Sequence, residues 1–167
     1  MNETFDSAAL LADRLGDALL AGEPLGHLRG LADADLQSLY AVAHGLYEQG
    51  RYQDAVHVFG YLALNDHMEP RFAIGLGASL QMAGRLEDAL KVYTVAIVLD
   101  PADPAPTFHL SECLLSLGRV DDALESLDTV IAQCEPGVHD ALLQRAQGLA
   151  SLLVRHAADG TGDGHEH

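Results

Sequence analysis

"GRLEDA", Gly84–Ala89, has a near copy on each side: "GRYQDA" at Gly50–Ala55 and "GRVDDA" at Gly118–Ala123. Each copy starts 34 residues after the one before. A fixed period of that length points to stacked helix–turn–helix units. Each letter has a physical use. The Gly ends a helix, where a left-handed residue is needed and the absence of Cβ removes the penalty. The Asp falls in the first turn of the next helix and favours its positive end. The Ala lets the two helices approach closely.

Other positions recur with the same period. With repeats starting at Leu36, Pro70 and Pro104, the eighth position reads Ala43, Gly77, Ser111, all small. The eleventh reads Leu46, Leu80, Leu114, and the twentieth Ala55, Ala89, Ala123. The twenty-fourth reads Phe59, Tyr93, Leu127, and the twenty-seventh Leu62, Ala96, Val130. Small and large residues at these fixed places are the tetratricopeptide pattern. The fold class is therefore all-α, a tetratricopeptide solenoid with three helix pairs. The pairs fall at 34–49 with 52–65, 69–83 with 86–99, and 104–117 with 120–133. In "LDPADP", Asp103 can cap and Pro104 can occupy the first helical position.

Outside the repeats, residues 6–21 read as an amphipathic helix with Leu11, Leu15, Ala18 and Leu19 on one face. A loop at 22–32 follows it. A long helix at 138–157 would cover the last pair, because such solenoids need a cap. The domain reading is an N-terminal segment at 1–32, repeats at 33–135, a capping helix at 136–157, and a Gly-rich polar tail at 158–167 expected to be disordered.

Composition excludes several functions. The 167-residue chain carries 25 acidic and 9 basic residues, a formal net charge of −16. Such a chain repels phosphate backbones and anionic lipid, so nucleic acid and membrane surfaces are poor partners. The same charge favours solubility. No stretch reaches the ~18 apolar residues of a membrane span. The start, "MNETFDSAALLADRLGDALLAG", lacks the basic opening and unbroken apolar run of a secretory signal, so a cytoplasmic location is expected. Cys113 and Cys134 show no metal spacing and read as structural thiols. The paired acids Glu87–Asp88 and Asp121–Asp122 read as helix starts. His57 and His109 lie in helices without a metalloprotease motif, and His165 and His167 lie in the tail. No enzyme, cofactor or metal site is expected.

Function in a solenoid belongs to the residues lining its inner face. The first helix of each pair lines that face at repeat positions near 2, 5, 9 and 12. These are Gln37, Tyr40, His44 and Tyr47 in the first pair. They are Arg71, Ile74, Ala78 and Gln81 in the second, and Ala105, Phe108, Glu112 and Leu115 in the third. Tyr40, His44 and Tyr47 form a stripe that reads as pockets for apolar client side chains. The alternative is that the two tyrosines pack between helices. A grip on C-terminal carboxylates would need several converging basic or amide side chains, and Arg71 is the one basic residue in this set.

The segments "LQSLYAVAHGLYEQGRYQDAVHVF", "RFAIGLGASLQMAGRLEDA" and "FHLSECLLSLGRVDDA" carry a further likeness. Over residues 31–135 the chain resembles the class II chaperones of bacterial type III secretion systems, the SycD/LcrH-type translocator chaperones. The resemblance implies a non-enzymatic protein that uses no ATP. It implies that hydrophobic translocator proteins are held in the cytoplasm before export, with an extended, proline-containing segment in the concave groove. Proline lowers the ordering entropy of such a ligand. Tyr40, His44 and Tyr47 align with aromatic groove positions of that family, and His44 makes one pocket more polar. The family's N-terminal helix often mediates homodimerisation, which makes Leu11, Leu15 and Leu19 dimerisation candidates. The stripe could equally dock on the first repeat of its own chain. Some family members also act with a transcriptional activator, and nothing in this sequence shows that role. A generic tetratricopeptide scaffold for a regulatory or secretion complex is the competing reading.

Overall fold

The computed structural model describes Gly26 and residues 30–160, with side chains to His156. Seven helices are described: α1 Asp33–Glu48, α2 Tyr52–Asn65, α3 Pro70–Met82, α4 Leu86–Leu99, α5 Ala105–Ser116, α6 Val120–Gln133 and α7 Asp140–Gly160. Among the described residues there is no strand. Three second helices, α2, α4 and α6, have the bounds expected from the sequence. The first helices differ by one residue at each end. At α3, Pro70 opens the helix, where a missing N–H costs nothing. At α5, Pro104 sits at the N-cap, one residue earlier than its expected first helical position, and Pro106 takes the first turn. Asp103 is therefore not the cap: it lies one residue before it, and its Oδ1 accepts the Ala105 N–H at 2.9 Å in the turn that leads into the helix.

The repeated phrase builds the same joint three times. Gly50, Gly84 and Gly118 have φ of 75°, 77° and 76°. In each joint two backbone bonds close the preceding helix. Gly50 N–H donates to Tyr47 C=O and Arg51 N–H to Leu46 C=O, both at 2.9 Å. Gly84 with Gln81 and Arg85 with Leu80 repeat the pattern, as do Gly118 with Leu115 and Arg119 with Leu114. This is the Schellman arrangement, which satisfies carbonyls that the helix end leaves open. The arginine has a second use that the spacing alone did not disclose. Its side chain pairs with the aspartate three residues on: Arg51–Asp54 at 2.7 Å, Arg85–Asp88 at 2.8 Å and Arg119–Asp122 at 2.7 Å. All three pairs are exposed, so each contributes little to stability, below about 1 kcal/mol. The alanine closing each phrase is fully buried.

The chain divides into two compact units, the first ending at Leu76 and the second starting at Gly77. In the first, Leu36 and Ala43 of α1 meet Ala55, Phe59 and Leu62 of α2 and Phe72 of α3. In the second, Phe108 of α5 meets Leu127 and Val130 of α6 and Ala146 of α7. Position eight is small because something large faces it. A Cβ on Gly77 would lie 2.7 Å from Tyr93 Cε1, and Tyr93 is fully buried. A Cβ on Gly75 would collide with the Phe59 ring.

The last helix departs from the expected bounds. It starts at Asp140, after a turn in which Gly137 has φ 81° and its N–H donates to Asp140 Oδ1 at 2.8 Å. It continues through Gly160, so residues 158–160 of the expected tail are helical. The rest of that tail lies outside the described residues. So do Leu11, Leu15 and Leu19, the dimerisation candidates.

Candidate functional site

The first unit carries an aromatic face on α1. Tyr40 is half-buried, with its ring edge-on to Phe59 at 5.8 Å and tilted on Phe72 at 5.9 Å. One turn on, His44 lies 6.3 Å from the Tyr40 ring. The His44 ring is exposed and pairs with Glu48 at 3.4 Å. Tyr47 is half-buried, edge-on to Tyr52 at 5.4 Å. Both tyrosines therefore serve the core of the first unit and present part of their rings outside it, so the two readings made from sequence are compatible. Edge-to-face pairs of this kind contribute about 0.5–1.5 kcal/mol beyond their burial.

Arg71 closes one side of this face. Its guanidinium lies 5.4 Å from the Tyr40 ring centroid. It also binds Glu69 in fork fashion, Nε to Oε1 at 3.0 Å and Nη2 to Oε2 at 2.9 Å. The hydrogen bond from Arg71 holds the Glu69 carboxyl below its ordinary range, against the opposing effect of burial. Beside Glu69 lies a cleft of about 260 Å³, lined by Asp33, Leu36, Gln37, Asp66, Glu69 and Phe72. Ile74 of the same unit is half-buried.

The second unit is built differently. Tyr93 of α4 is buried and donates its hydroxyl to Gln81 Oε1 at 2.8 Å. Gln81 in turn hydrogen-bonds Glu112. His109 stacks on Tyr93 at 5.7 Å and 21°, and its Nδ1 lies 3.0 Å from Glu112 Oε2. A carboxylate only accepts, so the proton sits on Nδ1. Arg145 of α7 donates from Nη2 to Glu112 Oε1 at 3.3 Å and lies 4.5 Å above the Phe108 ring. Side chains from three helices thus meet at one carboxylate, and Tyr93 of a fourth braces two of them. Burial pushes the Glu112 carboxyl up. The His109 hydrogen bond and charge, the Arg145 charge and the Gln81 hydrogen bond outweigh it, and the net shift is downward.

That shift has a measurable consequence. A carboxyl whose folded pKa is depressed stabilises the fold above its unfolded pKa, about 4.3 for Glu, and loses that contribution as pH falls through the folded value. Glu112→Gln is therefore expected to melt below the parent at pH 6, with the gap narrowing steadily as pH falls below about 4. Thermal unfolding of both proteins across that pH range checks this.

Of the lining residues expected from sequence, the structure brings Tyr40, His44, Tyr47 and Arg71 together on the first unit. It brings Gln81 and Glu112 together on the second. Ala78, Ala105 and Leu115 are half-buried. Phe108 is corrected: it is 2% exposed and packs in the core with Leu127, Val130 and Ala146. The guanidinium of Arg145, from the cap, covers it. His109 and Arg145 were missed as site residues. His109 lies three residues before Glu112 on α5, the one sequence signal available. Arg145 gave none, because it lies 33 residues from Glu112 in the chain.

The cysteines fit a structural role. Burial, with the Glu112 charge adding, pushes the Cys113 thiol up to about 11, and burial also raises Cys134. Neither is a reactive thiolate at neutral pH. Among the described residues, no three His, Cys, Asp or Glu side chains are placed to hold a metal ion. Among them, too, no helix is long and apolar enough to cross a membrane.

Tetratricopeptide repeat family models match residues 40–104 and 80–147. Over 63 residues the chain is 38% identical to the low calcium response locus protein H of Yersinia pestis. That alignment covers 38% of each protein. The type III secretion translocator chaperone SycD of Yersinia enterocolitica is 30% identical with a TM-score of 0.75. The match covers 78% of this chain and 98% of that one. PcrH of Pseudomonas aeruginosa, solved in complex with the chaperone binding region of PopD, is 33% identical with a TM-score of 0.73. It is covered over 97% of its chain and 77% of this one. The joints, the small eighth positions and the aromatic first helix thus occur in a chain that superposes on SycD and PcrH over nearly their whole lengths, and it belongs to the class II translocator chaperones of type III secretion systems.

Proposed function

We propose that this chain binds a hydrophobic translocator protein of a type III secretion system in the cytoplasm and keeps it soluble until export, without catalysis or cofactor. The observation that carries this reading is the Tyr40–His44–Tyr47 face of α1. Rings braced by Phe59, Phe72 and Tyr52 leave partly exposed edges on successive turns. Such rings lose little freedom when an apolar side chain docks on them. PcrH, with the same fold, holds the chaperone binding region of PopD. A net charge of −16 keeps a complex with an apolar client dispersed. Residues 1–32 carry the dimerisation function in this reading, and residues 33–135 with the cap at 136–157 carry client binding.

Co-expression with the translocators of the same bacterium tests it. At least one is expected to stay soluble and co-purify. Retention of neither ends the proposal. Tyr40→Ala with Tyr47→Ala is expected to weaken client binding by about 2 kcal/mol or more per anchor. Helix content, read by circular dichroism, should stay. His44→Ala is the companion variant, because the exposed His44 ring carries no core packing. Unchanged affinity in all three removes this face from the site.

A further inference from the structure

The Glu112 node is built unlike the aromatic face. Three side chains from three helices donate to one carboxylate: Gln81 of α3, His109 of α5 and Arg145 of α7. Gln81 and His109 are themselves fixed by buried Tyr93, one through its hydroxyl and the other through its ring. The carboxylate is therefore oriented before anything binds, and binding costs it little further ordering.

The node is also open. The Glu112 side chain is 30% exposed and that of Arg145 59%. Each carboxylate oxygen has two lone pairs, and a guanidinium has five N–H donors, of which one goes to Glu112. Solvent thus meets a fixed acceptor beside a donor, with opposite charges that cancel. A client lysine is better served by an unpaired carboxylate, and a client acid by an unpaired arginine. A peptide group, with N–H and C=O side by side and no net charge, matches an acceptor–donor pair.

We infer that Glu112 and Arg145 grip the main chain of the bound client, Glu112 accepting a peptide N–H and Arg145 donating to a peptide C=O. This rests on the translocator-binding reading and assigns a division of labour within it. The aromatic face of the first unit selects side chains. The node of the second unit holds any extended segment, whatever its side chains. One chaperone can then serve translocator segments of different sequence.

The test uses the full-length chain and the chaperone binding region of PopD as the probe peptide. Single amide-to-ester replacements are placed along the peptide, each removing one N–H and leaving every side chain. The wild type is expected to bind the all-amide peptide and to lose about tenfold for one or two esters. Glu112→Gln is expected to bind the all-amide peptide about tenfold more weakly and to lose clearly less than the wild type for those same esters, because an amide oxygen accepts more weakly than a carboxylate. Arg145→Ala, at an exposed residue, is the second variant should Glu112→Gln fail to fold: an ester carbonyl accepts more weakly than an amide carbonyl, so the ester at the gripped C=O should weaken the wild type and leave this variant nearly unchanged. Esters that weaken both proteins equally overturn the inference and leave the translocator reading standing. So does a loss in Glu112→Gln that disappears when the peptide's Lys and Arg are replaced by Gln, because the contact is then an ion pair with a side chain. A wild type that does not bind the all-amide peptide overturns the inference, because a main-chain grip does not depend on side chains; co-expression with the chain's own translocators decides the translocator reading separately.

Discussion

Tyr93→Ala is expected to lower the unfolding free energy by about 3–5 kcal/mol, the usual cost of emptying a fully buried aromatic site. The ring fills the space left by Gly77, supports the His109 ring and fixes Gln81 through its hydroxyl. Tyr93→Phe separates these roles. It keeps the volume and loses one hydrogen bond, for an expected cost of about 1 kcal/mol. Denaturant unfolding of the two variants measures both values. Equal losses would mean that the hydroxyl, and not the ring, holds the second unit together.

Gly75→Ala sets two effects of opposite sign against each other. In an ordinary helix the change stabilises by about 1 kcal/mol, because glycine is the poorer helix former. Here the added Cβ runs into the Phe59 ring, which is 2% exposed and hemmed by Leu36, Leu62 and Phe72. Overpacking of this kind costs about 1–3 kcal/mol, so the clash wins and the variant is expected to be destabilised. Shortening the neighbour should reverse the sign. In a Phe59→Leu background, itself weaker than the parent, Gly75→Ala is expected to be neutral or stabilising. The four proteins form a double-mutant cycle, and additivity across it would show that the two residues do not meet.

The repeat was legible because the constraints that make it are local and periodic. Gly84 must be left-handed, Ala89 must be small and Tyr93 must fill the gap, and the same demands return 34 residues on. The bounds of α2, α4 and α6 follow directly from them. The side-chain use of Arg51, Arg85 and Arg119 was not legible from spacing, because each arginine is the cap residue outside its helix and the joint sets where its side chain goes. Phe108 misled. It occupies the fifth place of its repeat, as Tyr40 does, but α7 lies over it and brings Arg145 and Ala146. Periodicity describes a repeat with a repeat beside it, and the third pair has a cap there instead. The Glu112 node was hidden for a related reason. Gln81 and Glu112 were marked as separate lining residues, while Tyr93 and Arg145, which complete the network, come from other helices.

The joints have a bearing on how the chain reaches this fold. Each is closed by atoms of consecutive residues: two backbone bonds spanning three and five positions, an ion pair spanning three, and the first helical bond from Ala to Arg. None waits for a distant partner. Along the second unit, helices pack against their sequence neighbours, α4 on α5, α5 on α6 and α6 on α7. Contacts of such short range cost little loop entropy and favour rapid folding. On the ribosome, a joint has all its components as soon as its own residues and the helix before it have emerged. The cap arrives after all three pairs, and with it Arg145, the residue that completes the Glu112 node.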